Sequence, residues 1–396
     1  MSRDMNKFDF DKIIDRHNTC CTKYDGYGHF TSEYKEIIPM WIADMDFATP
    51  APIGDAIRKR LEHPVLGYGI PPEEYYTTLQ EWFAKQYGLK ISKDDITYTP
   101  GVVAGIYKLI QCWTREGDGI TICPPVYYPF ADVIRGSRRR LVEAPLLLRD
   151  ERYMLDWDAL DKALAQSKVL LWCHPHNPGG RVWTAEELQR VATMAKQHGC
   201  LVISDEIHAD LTFREYRHIP FPSVSDDAKE VGMSLMAPSK VFNMPGVIAS
   251  QLYIPNARLR DVVFPYMIQN GLAHASCYTY YAVIAAYKEC GEWSKACMRY
   301  IEENVELVQR YITERIPRLK MIRPEASFLI FIDCRELGFK TTDDLANFFV
   351  QKAGVMLNDG STFGTGGAFF MRLNVGTPRS ILEEAMQRIE KAVNAL

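Results

Sequence analysis

Residues 121–123, 169–173 and 201–204 are short runs with scarcely a polar side chain: Thr-Ile-Cys, Val-Leu-Leu-Trp-Cys and Leu-Val-Ile-Ser. A strand that is apolar at every position, rather than at alternate ones, is buried on both faces, the condition of a parallel sheet covered by helices on each side. The last two runs flank a segment with helix signals. Thr184 can cap its N-terminus, Glu187 completes a capping box, Leu188, Val191, Ala192 and Ala195 recur on one face, and Gly199 stops it. Strand, helix and strand in this order form a βαβ unit, which predicts an α/β fold around a mainly parallel sheet flanked by helices. After about Gly291 the pattern changes to a long amphipathic segment over 299–316, a strand-like 328–332, a helix near 342–352, a strand-like 369–374 and a terminal helix. That is a smaller α+β domain. The first fifty residues carry little with which to build a core, so they are expected to join it. The division is then 51–288 for a large domain, and 1–50 with 289–396 for the small one.

With 396 residues, 47% of them hydrophobic and 24% charged, the chain can bury a large core and a second lobe, and disorder is not the default. The formal charge of -4 is spread along the chain, so no nucleic-acid partner is expected. The one basic run, residues 135–140, reads as a solvated turn or face. The N-terminus mixes Arg3, Asp4, Lys7, Asp9, Asp11 and Lys12 with isolated apolar residues, unlike a signal peptide. No uncharged stretch is long enough to cross a bilayer, and a soluble, cytoplasmic protein without a membrane partner is expected. Ten scattered cysteines without a CxxC pair fit a reducing compartment and argue against a zinc or redox motif.

In an open parallel sheet, functional side chains gather beyond the carboxyl ends of the strands, and several segments fall at such places. Thr99-Pro100-Gly101-Val102-Val103-Ala104-Gly105 opens a helical pattern whose free N–H groups suit a phosphate, although many helices begin with glycine for turn reasons alone. Pro124-Pro125-Val126-Tyr127-Tyr128-Pro129 is a stiff loop that can hold an aromatic ring over a flat ligand, or simply pack. Asn177, in His174-Pro175-His176-Asn177-Pro178-Gly179-Gly180, offers an amide to a ligand oxygen, and its bond to Pro178 is a candidate cis peptide. His174 and His176 have no third ligand nearby, so no metal site is expected. Asp205 emerges from an apolar strand where it can pair with a protonated ring nitrogen; read alone, it could equally cap a helix or pair with an arginine. Lys240, in Ala237-Pro238-Ser239-Lys240-Val241-Phe242-Asn243, is an ordinary loop lysine unless it is shielded from water, where its pKa would fall and Schiff-base chemistry with an aldehyde becomes accessible.

Taken together, the Asn177, Asp205 and Lys240 segments resemble fold-type I pyridoxal 5′-phosphate (PLP) enzymes of the aminotransferase class I and II superfamily. Pro39-Met40-Trp41-Ile42-Ala43-Asp44-Met45-Asp46-Phe47, Asp205-Glu206-Ile207-His208-Ala209-Asp210-Leu211 and the stretch around Lys240 are similar to the MalY/PatB/cystalysin-like cystathionine β-lyase (C-S lyase) subgroup. The resemblance implies a PLP-transferase fold type I. It also implies that Lys240 carries the cofactor as a Schiff base, Asp205 binds the pyridine nitrogen, Asn177 touches O3′ and Tyr127 stacks on the ring. By the same resemblance the phosphate lies on the N–H groups of Val102 and Val103 and on Ser239, with Tyr68 of Gly67-Tyr68-Gly69 reaching in from the second subunit of a homodimer. Arg372 clamps the substrate carboxylate, with Tyr128 also on the substrate side; without the resemblance, Arg372 would read as a surface charge. His208 stands where aminotransferases usually have a tyrosine, and Ala237 where many have a phosphate-binding serine. Gly179 departs from the subgroup, where a larger apolar residue is more usual.

The activity so implied is α,β-elimination of cystathionine or a cysteine S-conjugate to a thiol, pyruvate and ammonia. Transamination of an amino acid is the alternative, and a regulatory protein partner held on the surface of the same fold is a third role.

Overall fold

The computed structural model describes residues 8–26, 28 and 31–396; Arg3, Asp4 and Lys7 of the N-terminal charge pattern lie outside them. A seven-stranded sheet contains β1 (Ile96–Thr99), β2 (Gly119–Ile122), β3 (Arg140–Glu143), β4 (Val169–Cys173), β5 (Leu201–Asp205), β6 (Gly232–Met236) and β7 (Ser250–Tyr253). Their order is β1-β7-β6-β5-β4-β2-β3, and only β7 runs against the others. The central strands are buried at nearly every position, and alternation sends their side chains into two cores. Leu170, Trp172 and Val202 pack with Leu188 and Val191 on one face. Val169, Leu171 and Ile203 pack with Ile106 and Leu109 on the other.

β1 and β7 leave little mark on the sequence because they carry buried polar groups that are satisfied across the strand pair or by the helix Glu73–Tyr87. Thr99 and Ser250 hydroxyls lie 2.6 Å apart, and Gln251 donates to the Tyr75 hydroxyl at 3.4 Å. β2 ends at Ile122, leaving Cys123 in the following loop, and begins at Gly119, where a Cβ would lie 2.1 Å from the Gln166 carbonyl. The basic run is a largely solvated turn leading into β3: Arg135, Arg138 and Arg140 are exposed, and Arg139 turns back onto Thr114 through bonds of 2.9 and 2.7 Å.

A second, antiparallel sheet of β8 (Lys320–Ile322), β9 (Leu329–Asp333), β10 (Asn358–Asp359) and β11 (Phe370–Asn374) has the order β8-β9-β11-β10. The long helix before it runs Gly291–Arg315, further upstream than the charged half of its pattern suggests, because Trp293 and Cys297 continue the buried stripe of Ile301, Val305, Val308 and Ile312. Ile38–Pro39 pairs in parallel with Val355–Met356, so this N-terminal segment lies against the C-terminal part of the chain. No helix among the described residues is long and apolar enough to cross a membrane.

The crossover helix between β4 and β5, Ala185–Gln197, carries the capping box: Glu187 N–H donates to Thr184 Oγ1 at 3.2 Å, and Thr184 N–H donates to Glu187 Oε2 at 2.8 Å. Glu187 also accepts a forked pair of bonds, 3.0 and 2.8 Å, from Arg181, which is 2% exposed. Thr184→Ala should therefore cost about 1 kcal/mol, the usual value of a lost cap. Glu187→Ala should cost more, about 2–3 kcal/mol, because a buried guanidinium loses a charged partner. Urea unfolding should rank the two in that order; equal losses would show that the Arg181 pair contributes nothing net.

Candidate active site

The loops leaving the carboxyl ends of β1, β2, β4, β5 and β6 bring Val102 and Val103, Tyr127, Asn177, Asp205 with His208, and Lys240 to one cavity of about 90 Å³. Ala43, Cys173 and Ile207 complete the lining.

The helix Val102–Trp113 starts at the cavity. Its N-cap, Gly101, has φ +97°, open to glycine but strained for other residues, and offers no side-chain acceptor. Gly105 N–H makes the first helical bond, to Gly101 O at 3.0 Å, so the preceding N–H groups have no partner inside the helix. Gly105 itself sits where a Cβ would come 2.7 Å from Leu235, which lets the helix lie close on the sheet. The result is a bare, positive helix end suited to an anion.

Asp205 ends β5, opposite Cys173 and Leu235 in the ladders. One of its carboxylate oxygens accepts from Ile207 N–H at 3.1 Å. Burial raises its pKa to about 7, against the pull of that bond and of Lys240. Lys240 is pushed the other way: burial lowers its pKa to about 8, Asp44 and Asp205 oppose this, and Arg372 adds to it. Its ammonium donates to the Ala43 carbonyl. Burial, with Lys240 and Arg372 nearby, lowers His208 to about 3, so its ring is neutral, and its Nδ1 is buried without a partner.

Arg372, on β11, is 3% exposed and far from a surface charge. It donates to Asn177 Oδ1 at 3.2 Å and to the Trp41 carbonyl at 3.0 Å, lies over the Phe363 ring at 4.9 Å, and keeps a buried Nε without a partner. Burial lowers its pKa to about 10. Tyr128 stands by the same Phe363 ring, 5.9 Å between centroids. Burial pushes the Tyr127 hydroxyl well above its ordinary pKa, so it remains protonated.

Asn177 is held by its N–H to Cys173 Sγ at 3.3 Å, and the peptide bonds preceding Pro125, Pro175 and Pro178 are cis. Gly179 has a local cause: a Cβ there would lie 2.6 Å from the Tyr153 ring. His174 and His176 serve the scaffold. His174 Nε2 bonds to the Ile219 carbonyl at 3.1 Å, and His176 Nδ1 accepts from Gly179 N–H at 3.3 Å. Among the described residues there is no group of three or more His, Cys, Asp or Glu able to hold a metal.

Ser239 is buried next to Lys240 but is not part of the lining. Tyr68 is fully exposed and distinct from the lining of its own chain's cavity. Ala43, Cys173 and Ile207 are cavity residues that the sequence did not single out. The strand ladder that sets Cys173 against Asp205 would have indicated one of them, whereas Ala43 contributes a carbonyl, which leaves no side-chain signal.

The profile described as aminotransferase class I and II matches residues 35–389. The chain is similar to cystathionine β-lyase PatB of Bacillus subtilis, 36% identical over 97% of this chain and 100% of the relative. It is similar to protein MalY of Escherichia coli, 33% identical over 98% of this chain and 100% of the relative. Among solved structures it resembles cystalysin of Treponema denticola, which contains a pyridoxal 5′-phosphate cofactor, with a TM-score of 0.93 and 32% identity over 98% of this chain and 99% of that one.

The raised Asp205 pKa gives a stability test. In the ligand-free protein this acid holds its proton more tightly folded than unfolded, so its contribution is full below pH ~4 and is lost as pH rises through about 7. Asp205→Asn should leave urea stability almost unchanged at pH 4 and raise it at pH 8. An identical difference at both pH values would place the ionisation elsewhere.

Proposed function

The chain belongs to the aminotransferase class I and II family, and from that premise we propose that it is a PLP-dependent carbon-sulfur β-lyase, cleaving cystathionine or a cysteine S-conjugate to a thiol, pyruvate and ammonia. The observation that carries this reading is a buried amine and a buried acid in one cavity, Lys240 with a lowered pKa and Asp205 with a raised one. A protonated ring nitrogen is the partner that a desolvated Asp205 carboxylate calls for, the bare helix end at Val102 and Val103 suits a phosphate, and His208, which lines the same space, has a buried Nδ1 without a partner. The residues present therefore fit PLP. When bound, the cofactor offers an aldehyde to an amine and a cationic ring that takes up the electrons of a carbanion at Cα.

Lys240 supplies the amine that holds the cofactor and, once released, the base that takes the Cα proton at Nζ. With a pKa near 8 it is neutral in a useful fraction of molecules at neutral pH and can also return the proton. Asp205 holds the ring nitrogen charged, Asn177 and His208 hold the O3′ side, and Tyr127 packs against the ring. Ser239 adds a hydroxyl to the phosphate contacts of Val102 and Val103. Arg372 fixes the substrate carboxylate, with Tyr128 beside it. Loss of the Cα proton and of the Cβ thiolate, followed by addition of water, accounts for every atom of the three products.

Residues 51–288 form the cofactor-holding domain in this reading, and 1–50 with 289–396 form the second. A second copy of the chain in the cytoplasm covers Val65, Leu66 and Ile70, which are exposed apolar residues, and receives Tyr68 into its phosphate site.

Purified protein supplied with PLP and cystathionine should release pyruvate without any keto-acid acceptor; amino transfer to an added keto acid, with no pyruvate, would reject the lyase in favour of an aminotransferase. Lys240→Ala should lower the pyruvate rate by at least about 10³-fold. Arg372→Lys should act mainly on KM, raising it about 10–100-fold through loss of a forked carboxylate contact, as substrate titration would read.

A further inference from the structure

Asp205 and His208 reach the cavity from a segment whose other two acids, Glu206 and Asp210, take no part in its lining. Glu206 is fully buried. Its Oε2 pairs with His218 Nε2 at 2.7 Å, while Oε1 accepts from Phe221 N–H at 2.9 Å and from the Ser234 hydroxyl. Asp210 accepts from Trp82 Nε1 at 3.1 Å and from the Tyr87 hydroxyl, both on the helix Glu73–Tyr87. The Tyr87 ring lies 5.6 Å from that of His218, so the two acids are fastened to one continuous patch of scaffold. The backbone between them is closed by Glu206 N–H to Leu235 O at 2.8 Å, Ala209 N–H to Glu206 O at 2.9 Å and Leu211 N–H to His208 O at 3.0 Å.

Apolar side chains at 206 and 210 would hold the segment by shape alone. A buried carboxylate with three directed partners fixes it in rotation as well, because any turn strands charged acceptors away from water. Neither acid has a part in the proposed reaction, so the polar anchoring needs another reason.

We propose that Glu206 and Asp210 are positioning residues that set the direction in which Asp205 and His208 face the cofactor. The inference rests on the reading of Asp205 as the partner of the cofactor's ring nitrogen. It is tested on Glu206→Gln and Asp210→Asn in full-length protein loaded with PLP, by PLP titration, by the visible circular dichroism of the bound cofactor, and by the thermal unfolding of the cofactor-free protein. A double-mutant cycle with Asp205→Asn separates an effect transmitted through Asp205 from one that is not.

The expected result for Glu206→Gln is a cooperatively folded protein whose PLP affinity falls about tenfold or more, as for residues that orient a binding group. Its visible dichroic band should shift or change in amplitude. The affinity loss should shrink in the Asp205→Asn background. Asp210→Asn should act in the same direction. Wild-type affinity and dichroism in folded Glu206→Gln would overturn the inference, as would an undiminished loss in the Asp205→Asn background. Should Glu206→Gln fail to fold, Ser234→Ala and His218→Gln each remove one partner of Glu206; a shifted dichroic band in these folded variants supports the proposal, and an unshifted one overturns it. An Asp205→Asn protein with unaltered affinity and absorbance instead overturns the assignment of Asp205 itself, and that single variant tells the two failures apart.

Discussion

Desolvation of three ionisable groups within one small volume governs this structure. Asp205, Lys240 and Arg372 are each taken from water, and burial moves each toward its neutral form. Isolated buried charges are strongly unfavourable, so such groups persist only where directed partners compensate or where a ligand completes the set. Here the compensation is partial: Lys240 has the Ala43 carbonyl, Arg372 has Asn177 and Trp41, and Asp205 has one backbone N–H. The remaining capacity is what the cavity offers a ligand with a cationic ring, an anionic end and a carboxylate-bearing substrate.

Holding these groups in register requires the two sheets to be tied together, and residues 41–47 do this with hydrogen bonds. Asn374, from the four-stranded sheet, donates to the carbonyls of Ile42 and Asp44 at 2.6 Å each. Asn243, three residues after Lys240, donates to those of Met45 and Phe47 at 2.9 and 2.7 Å and accepts from Met45 N–H at 3.0 Å. Arg16 and the buried Lys23 pair with Asp46 at 2.8 and 2.7 Å. Phe10, Met40, Met45 and Phe47 add apolar packing to this attachment, with the Phe10 ring 5.5 Å from that of Trp293.

This explains what could be read from the sequence. Hydropathy marks a segment when packing holds it, so the βαβ unit around Val169 and Leu201 and its capped helix stood out. Thr99 and Ser250 are buried by mutual hydrogen bonding and Gln251 by its bond to Tyr75, so β1 and β7 did not. Candidate site residues were visible where a side chain of unusual chemistry follows an apolar strand, as with Asp205 and Lys240. Arg372 lies inside a strand with no such mark, and only the resemblance brought it forward. Ala43 acts through its backbone, and Glu206 and Asp210 acquire partners that are distant in sequence.

The choice between elimination and transamination turns on where one proton goes. His208 is neutral and Tyr127 keeps its hydroxyl proton at physiological pH, which leaves Asp205 and Lys240 as the cavity groups whose charge changes near neutrality, and in the proposed reaction Asp205 is engaged by the ring nitrogen. In the proposed reaction the Lys240 amine that takes the Cα proton is also the acid available next, and the geometry of the substrate decides what it protonates. A sulfur on Cβ that leaves before the proton is returned commits the substrate to elimination. A substrate with no leaving group at Cβ leaves Lys240 only a carbon to reprotonate, so one arrangement of residues supports both outcomes and the side chain of the substrate selects between them.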